Sequence, residues 1–288
     1  MKKKKRNVSQ KNRKRKKVKV INKFIVAISA FLFSGLMVLR STYAWFVSES
    51  NETNHFVGSR LSAEIMEEFE PVTQWQPGTK AIKIIKVKNT GNISAFVRIS
   101  LYEYLLTFKV DTTDQTGNGN LATSPTEIHP IVDQTKTETW QAAVTAGGTY
   151  LNEGHYFIAN KAIVPNHLTG LEMYKFKDGN REKTDLRWFQ PIFPENVYDS
   201  VPSKETKNYW LYQDGYFYYS ELLSPGELSQ SVVTNVTLSD GAPNKFKGAL
   251  YQLNPSMDAH DATAALVSTW NLGDSSNVYN MYHDRLSE

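Results

Sequence analysis

Between Asn92 and Tyr102 the chain alternates with period two. Ile93, Ala95, Val97, Ile99 and Leu101 share one parity; Ser94, Phe96, Arg98 and Ser100 take the other. Successive strand side chains point to opposite faces, so this spacing predicts a strand with one buried face. Asn89-Thr90-Gly91-Asn92 forms a turn back to an earlier apolar run, Ile82, Ile84, Ile85 and Val87 within Lys80 to Lys88. The parity of that run slips between Ile84 and Ile85, which predicts a bulge or a strand covered on both sides. Further on, Trp210-Leu211-Tyr212-Gln213 and Tyr216-Phe217-Tyr218-Tyr219 flank Asp214-Gly215, the dipeptide suited to a two-residue type I′ hairpin. Aromatic pairs across that hairpin reinforce its register. Val232, Thr234, Val236 and Leu238 give another alternating strand after Pro225-Gly226. One stretch departs: Ala259, Ala262, Ala265, Leu266 and Trp270, within Asp258 to Asn271, have roughly helical spacing and predict a short C-terminal helix. The expected class is all-β, an antiparallel sandwich closed by that helix.

Ahead of the strands lies a segment of different character. Thirteen of the first 23 residues are Lys or Arg and none is acidic. Phe24 to Leu39 is then an apolar stretch of 16 residues. As a helix it would span roughly 24 Å, short of the roughly 30 Å hydrocarbon core. A basic region, a short apolar run, and Thr42 and Ala44 at the −3 and −1 positions read as a signal helix over residues 1–44, cut between Ala44 and Trp45. An uncleaved anchor over Val20 to Phe46, basic end inside, is the alternative. Either way residues 47–288 face the exterior, secreted or at the cell surface.

That reading changes the charge argument. Residues 1–44 hold 14 of the 33 Lys/Arg and none of the 29 Asp/Glu, so the remainder has 19 basic against 29 acidic residues, net −10. An acidic body is repelled by nucleic acid and by anionic lipid, which makes the basic run a topogenic signal. No nucleic-acid partner is expected, and membrane contact only through the signal segment. The chain has no cysteine, which excludes disulfides, thiol catalysis and Cys-ligated metal.

Residues 111–190 differ in texture. Asp111 to Asn120 is polar and glycine-bearing, Thr123 to Thr139 is rich in Thr and Pro, and aromatic pieces resume at Tyr150, Tyr156-Phe157 and Trp188-Phe189. This predicts a large loop-rich insertion within one extracellular domain, residues 45–288. Long loops on a rigid scaffold are where partner specificity sits.

The search for chemistry is negative. There is no Gly-x-Ser-x-Gly elbow, phosphate-cradling glycine loop or His-Glu-x-x-His. No two of the six histidines are spaced i, i+3 or i+4. No enzyme activity, cofactor or metal is expected.

Several segments do carry a resemblance. Thr42-Tyr43-Ala44-Trp45-Phe46, Asn54-His55-Phe56-Val57-Gly58 and the alternating Leu61, Ala63 and Ile65 resemble the start of TasA/camelysin-type proteins. Trp75-Gln-Pro-Gly78, Val87-Lys-Asn-Thr-Gly-Asn92 and Ala95-Phe-Val-Arg-Ile99 resemble their core strands. Asp214-Gly-Tyr-Phe-Tyr-Tyr219, Leu223-Ser-Pro-Gly226, Tyr251-Gln-Leu253 and Met257-Asp-Ala-His-Asp-Ala262 are similar to the BsaA-like branch. The resemblance covers about 45–108 and 205–272 and leaves the insertion outside. It implies a jelly-roll-like sandwich, export through a dedicated signal peptidase, and assembly with itself and other matrix components into biofilm fibres. Camelysin relatives have been called metalloproteases, and no zinc-ligand motif here carries that over.

A fibre needs an unpaired strand, because an open sheet edge offers N–H and C=O groups that a neighbour's extended segment can satisfy. Trp45 to Ile65 is the candidate donor, with Trp45, Phe46, Phe56, Val57, Leu61 and Ile65 as its apolar residues. The competing reading makes this segment the first strand of its own sandwich. A second function class, a surface-displayed binding module using the 111–190 insertion, also stands.

Overall fold

The computed structural model describes residues 60–287 apart from 70–71, 73–74, 114, 166–172, 178 and 180. Twelve strands run in chain order: β1 (Ala63–Phe69), β2 (Lys80–Asn89), β3 (Phe96–Phe108), β4 (Thr123–Ser124), β5 (Thr149–Asn152), β6 (His155–Ile163), β7 (Phe189–Ile192), β8 (Val197–Tyr198), β9 (Trp210–Gln213), β10 (Tyr216–Tyr219), β11 (Val233–Leu238) and β12 (Leu250–His260). Helices α1 (Glu138–Ala146), α2 (Ala265–Thr269) and α3 (Asn277–Tyr282) are short. The protein is mostly β-sheet, as expected.

Two sheets face one another. The four-stranded sheet runs β1-β2-β11-β7, and the eight-stranded sheet runs β4-β6-β3-β10-β9-β8 with β12 added beside β3 and β5 beside β6. A single core joins them, with Ile85, Val87, Val233 and Val236 from one sheet against Val97, Ile99, Phe217 and Leu253 from the other. Among the described strands pairing is antiparallel except between β8 and β9, so the larger sheet is mixed.

The hairpin forms at Asp214-Gly215, both at positive φ (51° and 92°), as a type I′ turn needs. The parity slip in β2 is a register irregularity against β11, where Val233 faces Ile85 and Asn235 faces Ile82. Ile85 and Val87 point into the core, whereas Ile82 lies on the outer face.

Three expectations need correction. β3 buries both faces, not one. Val97, Ile99, Leu101 and Leu105 face the inter-sheet core. On the opposite face Phe96 lies under α2 and α3 with Leu266, Val278 and Tyr282, and Tyr104, Leu106 and Phe108 pack with Trp140 of α1. Secondly, Asp258 to His260 complete β12, paired through to Arg98, Val97 and Phe96, so the helix is confined to Ala265–Thr269. Thirdly, 111–190 is more than loops: it supplies α1 and the β5–β6 hairpin, adds β6 to β3, and begins β7 of the other sheet.

Candidate functional site

An assembly surface on a β protein is first a question of open edges. Among the described strands β7 pairs only with β11; it is four residues long and contains Pro191, which has no N–H to offer. β12 pairs only with β3 among the described strands, and Pro255 interrupts its other edge midway. β4 and β8 are two residues each, and β5 is four. β1 is different: seven residues, no proline, and β2 as its one partner among the described strands.

The turn after β2 holds β1 at its start. Thr90 and Gly91 both donate their N–H to Ser62 O at 2.9 Å, and Asn92 N–H reaches Arg60 O at 2.9 Å. Only glycine fits at 91, because a Cβ there would lie 2.3 Å from Arg60 O. Asn89, fully buried, donates from Nδ2 to Ile93 O (2.7 Å) and Leu223 O (2.8 Å) and accepts from Gly91 N–H. The Asn89-to-Asn92 and Leu223-to-Gly226 motifs therefore meet as one joint, closed by Gly226 N–H on Asn89 O at 2.8 Å.

Along β1 the two faces diverge. Ile65 faces Val87 and Ala63 faces Asn89, both against the core. Further on, inward-facing Glu67 and Phe69 stand opposite Ile85 and Lys83. Lys83 is almost wholly buried; its Nζ donates to Glu67 and lies 4.4 Å from the centre of the Phe69 ring. Burial pushes the Lys83 amine below its usual value, and the Glu67 hydrogen bond and charge only partly offset that. The outer face carries Met66, Ile82 and Ile192, each about two-fifths exposed (43%, 42% and 39%). Asn235 sits between Ile82 and Ile192, buried, with its Oδ1 unpaired.

The expected cut between Ala44 and Trp45 and, of the expected donor residues, Trp45, Phe46, Phe56 and Val57 lie outside the described residues. Leu61 is exposed in the coil that leads into β1. Ile65 belongs to β1, so the end of the donor segment is a strand of its own sandwich. No group of His, Asp and Glu among the described residues is placed to hold a metal ion.

Sequence reasoning missed a second feature, a charge cluster inside the sandwich. Arg181 Nε and Nη2 donate to Glu103 Oε2 and Oε1 at 2.9 and 2.6 Å, Tyr251 Oη donates to Oε1 at 2.7 Å, and Nη2 also donates to Phe189 O. Burial opposes the Arg181 charge, yet Glu103 outweighs it and raises the guanidinium value. The Tyr251 hydroxyl is raised well above its usual value, by burial first and then by Glu103. The signal was Glu103 itself, a carboxylate inside an apolar strand. No protein-family profile and no curated protein matches the chain.

Proposed function

We propose that this protein is a secreted structural component of an extracellular biofilm matrix, with a jelly-roll-like sandwich that self-associates into fibres by strand donation. The observation that carries the reading is the β1 edge, the longest proline-free strand paired on one side only among the described residues. The segment from Trp45 runs in sequence straight into that edge, so the N-terminal residues of one copy are a natural supply of strand for another. The resemblance to TasA/camelysin-type proteins points the same way.

Charge on β1 favours a head-to-tail arrangement. Two β1 strands paired antiparallel over their full length would set Glu64 against Glu68 twice, and like charges directly opposite destabilise a ladder. A closed two-fold dimer through β1 is thus disfavoured, and a heterologous contact that does not close grows a filament. Glu49 and Glu52 in the donor segment still repel the acidic edge. Salt that shortens electrostatic reach to roughly 10 Å or less promotes assembly.

Two chains test this, one beginning at Trp45 and one at Arg60, which keeps β1 whole. Sedimentation and negative-stain microscopy across a salt series should show filaments from the first, more as salt rises, and folded monomers from the second. Filaments of equal yield from both would remove strand donation by residues 45–59.

A further inference from the structure

We propose that a cavity between the end of β3 and the insertion binds an oxyanion, carboxylate or phosphate, carried on a small hydroxylated molecule of the sugar-acid or sugar-phosphate class. The cavity measures about 390 Å³, inside the roughly 300–1,000 Å³ span of small-molecule sites. Its lining includes Lys109, Thr112, Asn160, Lys161, Asp185 and Lys245. The inference stands apart from fibre assembly and concerns the opposite end of β3.

Charge in this cavity is unbalanced. Lys161 of β6 and Lys245 of the 3-10 turn Asn244–Phe246 converge on one carboxylate, at 2.7 Å to Asp185 Oδ2 and 3.1 Å to Oδ1. Lys109, at the end of β3, makes no ion pair among the described residues and lines the same space. The lining thus holds three lysines and one carboxylate, two more basic side chains than acidic ones, on a body of net −10. Burial would raise the Asp185 carboxyl, but hydrogen bonds from Lys161 and Lys245 outweigh it and hold the group below its usual value. Asp185 is therefore ionised at neutral pH and already acts as the anion these lysines select. Each ammonium has three donors, so a single shared carboxylate leaves most of them for a ligand. The Asn160 amide and the Thr112 hydroxyl add uncharged polar groups suited to sugar hydroxyls.

The walls are held in place by contacts between separate parts of the chain. Lys109 N–H donates to Ile158 O at 2.9 Å, and Ala122 N–H donates to Lys109 O at 2.8 Å. Asn244 Nδ2 donates to Gly117 O at 2.8 Å, and Lys247 Nζ to Asn118 O at 2.9 Å, which ties the 111–120 loop beside Lys245. A site fixed from several elements needs little reordering to bind.

Calorimetric titration of the full chain with glucuronate and with glycerol 3-phosphate tests the proposal, with glucose and glycerol as uncharged controls. Binding of either acid, absent for its control, supports it, and the stronger acid identifies the source of the oxyanion. Lys109→Gln, which breaks no ion pair, should weaken binding by roughly fivefold or more, the scale of one charge at contact distance in a watery site. Asp185→Asn should tighten it severalfold by freeing both partner lysines. Thermal melts check that each variant is folded, and if Asp185→Asn is not, Lys109→Gln decides. No binding, equal binding of acids and controls, or an affinity indifferent to Lys109→Gln would overturn the proposal.

Discussion

The Glu103 carboxylate and the Lys83 ammonium both point into the sandwich, yet they are held in different ways. Glu103 is gripped by a two-pronged guanidinium and a tyrosine hydroxyl, and its partner Arg181 also reaches a backbone carbonyl. Both side chains are nearly closed to water, at 5% and 13% exposure. Lys83 is as deeply buried, but it has one carboxylate partner, on an edge strand, and that partner is about one-third exposed. The first arrangement joins β3 and β12 to the insertion and fixes the entry to β7. The second adds one side-chain hydrogen bond and one ring contact to the backbone ladder along the far half of β1. Buried charge thus occurs both at a many-partnered joint and at a singly partnered edge, and the number of partners separates them.

Arg181→Ala should give the largest effect. It leaves Glu103 buried with Tyr251 alone, and breaking one side of a buried pair costs about 3–5 kcal/mol. Arg181→Lys should recover only part, because an ammonium cannot supply the parallel fork. Urea denaturation followed by tryptophan fluorescence measures both. If Arg181→Ala costs no more than loss of Glu67, the contrast between joint and edge collapses.

Glu67→Ala should cost about 1–2 kcal/mol, less than the buried pair because water can reach the vacated position. Lys83→Met should be neutral or stabilising, since a side chain of similar volume removes the desolvated charge and leaves Glu67 near solvent. Amide exchange should rise along Ala63–Phe69 in Glu67→Ala while β3 stays protected. Uniform loss of protection would show that β1 is not separately held.

The sequence made the alternating strands legible because burial there follows parity, and it marked the hairpin because only particular residues accept positive φ at 214 and 215. β3 misled because polar side chains at even positions suggested water. Arg98 instead stacks 4.2 Å from the centre of the Tyr216 ring and 4.9 Å from that of Trp270, and pairs with Asp258 at 3.0 Å. A guanidinium can lie on aromatic faces, so its presence does not mark a solvent face. The α2 boundary was blurred because alanines fit a helix or a covered strand, and pairing with β3 decided it. Glu153-Gly154, at φ 49° and 79°, turns the β5–β6 hairpin as Asp214-Gly215 turns β9–β10, but glutamate is not among the residues that signal such a turn, so this hairpin was not legible. Neither the Glu103 cluster nor the lysines around Asp185 was legible, because their members lie 78 and at least 24 residues apart in sequence.

The smallest expected effect is the alkaline behaviour of Lys83, and it tests whether the ammonium at this edge is desolvated. Burial lowers its value from the usual 10.5, so between the lowered and usual values the native chain sheds a proton that the unfolded chain keeps. The unfolded state then binds more protons, and stability rises with pH in that window. Buried tyrosines act in the opposite sense. Tyr174 is raised to about 12 and Tyr251 well above 10.0, so from about pH 10 upward the unfolded chain ionises first and stability falls. The tyrosine loss is common to wild type and Lys83→Met, so it cancels in their difference. That difference should move in favour of wild type as pH rises toward 10.5, by less than the cost of Glu67→Ala. Urea midpoints of both proteins from pH 8 to 10.5 measure it. A difference independent of pH would mean that the Lys83 ammonium is as well solvated in the fold as out of it, and β1 would then have no electrostatic reason to be the looser strand.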